Sequence, residues 1–295
     1  METALLVSSA LITGIGLGSM YGLLALGYHV TYVVSRTVNF AQGATMMLGA
    51  VLCFTFNVSY GWPIAVAVPL ALALCALWGA VVERLAVRPF VERGSNSWLM
   101  ATVALGIILE NVVLFTFGKD PRGMPPSVLT SNSVSIYGLK IDIQQMLIPA
   151  VGLALAVGLH LFFQHTRAGK ALLAVVQNTR AARLMGIDVE RMNTLSYVLS
   201  GLIAGVCGIM VAPLFTISST MGTLFGIKAF AVAMLGGIGS AWGVVATGIL
   251  YGISEALVTS LLGSIFTQIV SFALVIVTLL IMPNGIFGRA EVRKV

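Results

Sequence analysis

The sequence predicts an all-α, polytopic membrane protein. Three observations carry this. Hydrophobic residues make up 58% of the 295 positions and charged residues only 9%, far below the roughly 25% charge of a soluble domain. Uncharged runs recur that reach the ~20 residues a helix needs to cross a bilayer. Apolar residues fill those runs continuously, whereas the strands of a membrane barrel alternate apolar with polar.

The first run, 5–27, has no basic segment before it and is too long for a signal-peptide core, so it reads as a retained span. Further runs follow at 41–58, 63–82, 98–117 (interrupted only by Glu110), 143–163, 192–217, 229–254 and 257–282, at least eight hydrophobic segments in all. The apolar character is continuous from end to end, which predicts one membrane domain, 1–295. Gly14, Gly18 and Gly22, and later Gly201 and Gly205, recur every four residues, the spacing that lets membrane helices approach closely. Cys53, Cys75 and Cys207 each lie inside an apolar run and read as packing residues.

Lys and Arg set the orientation. They cluster in 83–95 (Arg84, Arg88, Arg93), in 164–192 (Arg167, Lys170, Arg180, Arg183, Arg191) and in the tail 288–295, which places these three regions, the C-terminus included, on the cytoplasmic side. The Pro-, Ser- and Gly-rich segment 118–142 reads as the main external loop. The net charge of +6 is spread over those loops, facing anionic lipid headgroups rather than nucleic acid. Between the cytoplasmic loop at 164–192 and a cytoplasmic C-terminus the chain must cross an even number of times, yet three apolar segments remain. One must therefore be broken. Residues 235-LGGIGSAWG-243 hold four glycines within the eight positions 236–243, so Gly236, Gly237, Gly239 and Ser240 mark a break at membrane depth. A matching interruption lies in 35-SRTVNFAQGATMMLG-49, with Gly43 as its glycine; paired interruptions of this kind point to a transport pathway.

The sequence holds no catalytic or metal-ligating constellation, and no cofactor is expected on this chain. The glycine-rich 235–243 lacks the Lys-Ser/Thr pair that a phosphate loop requires. Candidates for a substrate path are the polar groups within apolar runs: Asn39 and Gln42 at the first interruption, Glu110 with Asn111, and Glu255. A self-sufficient, ion-coupled transporter in which Glu110 or Glu255 carries a proton is one reading of those carboxylates.

The loop 178-NTRAARLMGIDVE-190 is the most charged stretch near the middle of the chain. Thr179 is read as a helix N-cap, Ala181, Leu184 and Met185 share a face, and Gly186 is placed to end the helix. The result is a short amphipathic helix whose apolar face needs a partner, either the headgroup layer or a groove on another protein.

These residues resemble a family. The spacing of 181-AARLMG-186 is similar to the coupling-loop motif of permease subunits in bacterial ABC importers, with Arg180 where that motif begins with glutamate. The segments 38-VNFAQGATMMLGA-50, 228-KAFAVAMLGGIGSAWG-243 and 282-MPNGIFGRAEVRKV-295 resemble the H-type (LivH-like) permease of binding-protein-dependent branched-chain amino-acid importers, along essentially the whole chain. The resemblance implies an inner-membrane subunit for amino acids, branched-chain above all, with urea, amides or other amino acids as the alternative cargo. It implies a second, LivM-like permease, two ABC ATPase subunits that bind and hydrolyse ATP with Mg, and a periplasmic substrate-binding protein. Within a coupling loop at about 166–191, Arg180, Ala181, Ala182, Arg183, Leu184, Met185 and Gly186 would meet the ATPase.

Overall fold

The computed structural model describes residues 2–125, 133–136, 139–282 and 284–288, and side chains only from residue 7 and outside 126–145. Among these residues seven helices are long and apolar enough to cross a membrane, and an eighth apolar helix is shorter. The chain is helical as the composition demands. It differs from the sequence reading mainly in where helices stop.

The first helix, α1 (Glu2–Ser35), runs well past the expected end at 27. It stops at Arg36, whose φ of +57° is a left-handed conformation no helix continues through. The helix α2 (Gln42–Phe54) and a π-helical turn (Thr55–Ser59) cover the second predicted run. Gly43, expected among the breaking residues, is instead the second residue of α2. There its missing side chain admits the backbone of Gly222 and Gly226.

The region 83–95 is not a loop for most of its length. Following α3 (Ile64–Val82), a π-helical turn (Glu83–Val87) and α4 (Arg88–Glu92) carry the helix onward. The reason is electrostatic: Arg88 and Glu83 pair at 3.1 Å, so neither charge forces the chain out into water at that point. Next come α5 (Trp98–Phe117), a two-stranded antiparallel hairpin of β1 (Ser133–Ile136) and β2 (Leu139–Asp142) within the expected external segment, and α6 (Ile143–His165). The cytoplasmic loop expected at 164–192 holds two short helices rather than one, α7 (Arg167–Gln177) and α8 (Thr179–Leu184). The chain continues as α9 (Val189–Val211), α10 (Met221–Gly236), α11 (Ala241–Leu262) and α12 (Ser264–Ile281). Four helices thus follow the loop. The apolar run 229–254 is interrupted at 237–240, and the run 257–282 at Gly263, whose φ is +94°. The basic tail from Arg289 onward lies outside the described residues.

The chain forms two compact units. One comprises Met1–His29, Pro126–Gly152 and Lys228–Val295; the other Val30–Pro125 and Leu153–Ile227. In the first, Gly14 and Gly18 abut the α11 backbone at Gly252, Ile253, Gly248 and Ile249, so the α1 glycine stripe serves close helix packing. In the second, α2, α3 and α9 pack through small residues: Gly79 lies under the Tyr197 carbonyl, Gly201 under that of Cys75, and Gly208 under that of Met46. All three cysteines are buried, and none is in a disulfide among the described residues. Gly208→Ala should push α2 off α9, because its new methyl meets the Met46 carbonyl and not a side chain that could rotate away. Overpacking of this kind costs about 1–3 kcal/mol. Thermal unfolding in detergent should show the loss, with Gly158→Ala, in open space on α6, as the control that keeps or gains stability.

Candidate functional site

The short helix α8 is built by caps at both ends. Its N-cap is Asn178, not Thr179: the Asn178 side chain accepts from the Ala181 N–H at 3.0 Å, while Thr179 Oγ1 donates back to the Val175 carbonyl at 3.1 Å. At the other end Gly186 adopts φ +81°. Its N–H donates to Arg183 O and that of Ile187 to Ala182 O, each at 3.0 Å, the paired bonds of a Schellman stop. Such a short helix is marginal by propensity alone; two caps and one buried residue hold it.

That buried residue is Ala182, which joins Val34, Leu172, Val175 and Val189 in a small core. Ala181, Leu184 and Met185 point the other way, Leu184 at 84% and Met185 at 82% exposure. Arg180 and Arg183 are exposed beside them. A hollow of about 280 Å³ lies alongside, lined by Arg183, Gly186, Ile187, Asp188, Val189 and Glu190. The amphipathic α7, absent from the sequence reading, forms the other wall of the small core through Leu172 and Val175.

From this junction a charged network runs inward. Asp188 caps α9 by accepting from Arg191 N–H at 3.1 Å. Arg88 donates to Glu190 at 3.4 Å and to Thr194 at 2.9 Å, and Thr194 donates to the buried Glu83 at 2.9 Å. The start of α9, directly after α8, is therefore tied to the π-helical continuation of α3.

Asn39 and Gln42 sit together at the first interruption, and both are buried, at 1% and 0% exposure. Asn39 Oδ1 accepts from Ala41 N–H at 3.1 Å, tightening the entry into α2. Gln42 accepts from Ser200 Oγ at 2.7 Å and donates to Ser200 O at 3.2 Å, which pins α2 to α9. Nearby, Thr37 Oγ1 and the Tyr197 hydroxyl share a bond of 2.8 Å. Glu110 is half-buried on α5 and accepts from Thr223 Oγ1, whereas Asn111 is exposed and donates to its own helix at Ile107 O.

The second interruption is built as its residues suggest. Gly236 ends α10, Gly237 turns with φ +78°, and Ser240 caps α11 by accepting from Gly243 N–H at 3.1 Å. His29 Nδ1 donates to the Ile238 carbonyl at 2.7 Å, which satisfies a turn carbonyl. Farther along α11, Glu255 is buried and pairs with Lys228 of α10 at 2.5 Å; Lys228 also reaches the Tyr21 hydroxyl at 3.4 Å. Lys228 escaped the sequence reading. Its signal was present: it is a lone cation in an apolar run, 27 residues from the lone anion Glu255. Ser200 and Tyr197 carried no such signal, since hydroxyls in membrane helices usually bond their own backbone.

A protein-family model described as the permease component of a branched-chain amino acid transport system matches residues 10–279. The high-affinity branched-chain amino acid transport permease LivH of Escherichia coli K12 is 32% identical over 295 residues, 96% of each chain. The corresponding protein BraD of Pseudomonas aeruginosa is 32% identical over 300 residues, 97% of each. A probable branched-chain amino acid permease of Methanocaldococcus jannaschii is 31% identical over 280 residues, covering 90% of this chain and 88% of that one.

Proposed function

The chain belongs to the branched-chain amino acid transport permease family, and from that premise we propose that it is the membrane-spanning subunit of an ATP-driven importer whose cargo is a branched-chain amino acid. The observation that carries the coupling half of this reading is α8: a helix capped at both ends that keeps two large apolar side chains in water. Exposed apolar groups held on a rigid support are what a partner groove takes up. Leu184, Met185 and Ala181 enter a groove on one ATPase, and Arg180 and Arg183 meet acidic groups at its rim. ATP and Mg reside on those partners, a second, LivM-like permease completes the channel, and a periplasmic binding protein delivers the cargo from outside. The C-terminus then lies on the cytoplasmic side of the inner membrane with α8.

The path candidates divide by burial. Glu110 and Asn111 keep accessible surface and can meet a passing ligand, whereas Asn39, Gln42 and Glu255 act by holding helices together. A proton carrier needs a carboxylate free to lose its charge, and Glu255 is already matched by Lys228. That counts against the ion-coupled reading through Glu255 and leaves Glu110 as its candidate carrier.

Affinity purification of the chain from its native host in mild detergent tests the assembly. Recovery of a second permease and two ATPase chains in fixed stoichiometry is the expected result. A chain recovered alone across several detergents, and active in liposomes without ATP, would overturn it. Cargo identity follows from the co-purified binding protein by calorimetry with leucine, isoleucine, valine, urea and short amides.

A further inference from the structure

Four buried polar atoms in the unit containing α11 have no hydrogen-bond partner among the described residues: Thr247 Oγ1, Tyr251 OH, Glu255 Oε2 and Ser271 Oγ. Buried polar groups are nearly always satisfied, so four neighbours left over demand an explanation. Three of them stand four residues apart on α11, rungs about 6 Å apart along its axis. Ser271 of α12 lies beside the Tyr251 hydroxyl without meeting hydrogen-bond geometry. Thr247 also departs from the other helical threonines. Thr45, Thr55, Thr116, Thr166, Thr259 and Thr278 all turn their hydroxyls back onto the carbonyl four residues earlier; the buried Thr247 hydroxyl makes no such bond. At the end of the row stands the Lys228–Glu255 pair, with one carboxylate oxygen engaged and the other unengaged.

We infer that this row is a binding site for internal water, held between the α11 rungs and Ser271 and ending on the free oxygen of Glu255. The chemistry selects water. Each hydroxyl both donates and accepts, the carboxylate oxygen only accepts, and a molecule offering two donors and two acceptors satisfies them all. A metal cation is disfavoured by the Lys228 ammonium on the same carboxylate. The bound water solvates an ion pair that would otherwise sit half-satisfied in a low-dielectric interior.

X-ray hydroxyl-radical footprinting of the intact wild-type protein in nanodiscs reads this directly, because radicals formed from bound water oxidise the side chains that touch it. Tyr251 and Tyr197 are almost equally inaccessible, at 2% and 0%, but the Tyr197 hydroxyl is already bonded to Thr37. Tyr251 should be oxidised several-fold faster than Tyr197. A second readout is Tyr251→Phe, which should lower the unfolding temperature by about 2–4 °C through loss of a satisfied hydroxyl. Labelling of Tyr251 no faster than Tyr197, or a Tyr251→Phe protein as stable as wild type or more so, would show that the hydroxyl is a true orphan and overturn the site.

Discussion

Leu184→Asp combined with Met185→Asp is expected to abolish coupling while leaving the permease folded. Both side chains are exposed and contribute nothing to the core, so the folded chain loses no packing. The costs fall elsewhere. An apolar contact with the ATPase groove is replaced by two charges that must be desolvated, and anchors of this kind are worth about 2 kcal/mol or more each. The new carboxylates also lie at the C-terminal end of α8, where the helix dipole disfavours negative charge by a few tenths of a kcal/mol. In proteoliposomes with the co-purified subunits, cargo-stimulated ATP hydrolysis and uptake should fall at least about tenfold, since every 1.4 kcal/mol is a factor of ten. Thermal unfolding of the isolated permease should move by no more than about 1 °C. Ala182→Asp is the informative contrast. It places a charge in the core with Leu172 and Val175 and should destabilise the junction itself. Unchanged uptake in the double variant would remove α8 from the coupling path.

The second large effect lies at Lys228 and Glu255. Each side chain is only about a tenth exposed, so Lys228→Met strands a buried carboxylate and Glu255→Met strands a buried ammonium. Breaking a buried pair from one side costs about 3–5 kcal/mol, whereas replacing both partners by apolar groups is often near neutral. The expected order of stability is therefore wild type close to the Lys228→Met/Glu255→Met double variant, with both single variants well below. Unfolding temperatures in detergent, read as a double-mutant cycle, check this. Additive losses would mean that the two charges do not depend on each other. The cycle also separates holding from transport: a stable double variant with reduced uptake would assign the pair to the movement of α10 against α11.

What the sequence determined by itself follows from short-range chemistry. Long uncharged runs had to be helices, because lipid leaves no other way to satisfy backbone groups. The break at 237–240 was legible because glycine and serine are the residues that stop and cap helices, and the stripes at Gly14, Gly18 and Gly201 announced close packing. The shared face of Ala181, Leu184 and Met185 on α8 was legible from spacing alone, whereas its exposure, with Ala182 as the buried residue, was not.

The tertiary structure decided whatever depended on a distant partner. Arg84 and Arg88 looked like markers of a loop, yet Glu83 and Thr194 satisfy Arg88 and the helix runs on to Glu92. Asn178 and Thr179 are both good caps, and only the extended backbone at Asn178 chose between them. Gly43 could as well have been a hinge as a contact; the approach of Gly222 made it a contact. Asn39, Gln42 and Glu255 looked like path residues because polar groups in apolar runs are costly. Ser200 and Lys228, 158 residues from Gln42 and 27 from Glu255, offset that cost inside the protein. A residue's environment is set by what folds against it, and for a polar group in a membrane helix that partner decides its role.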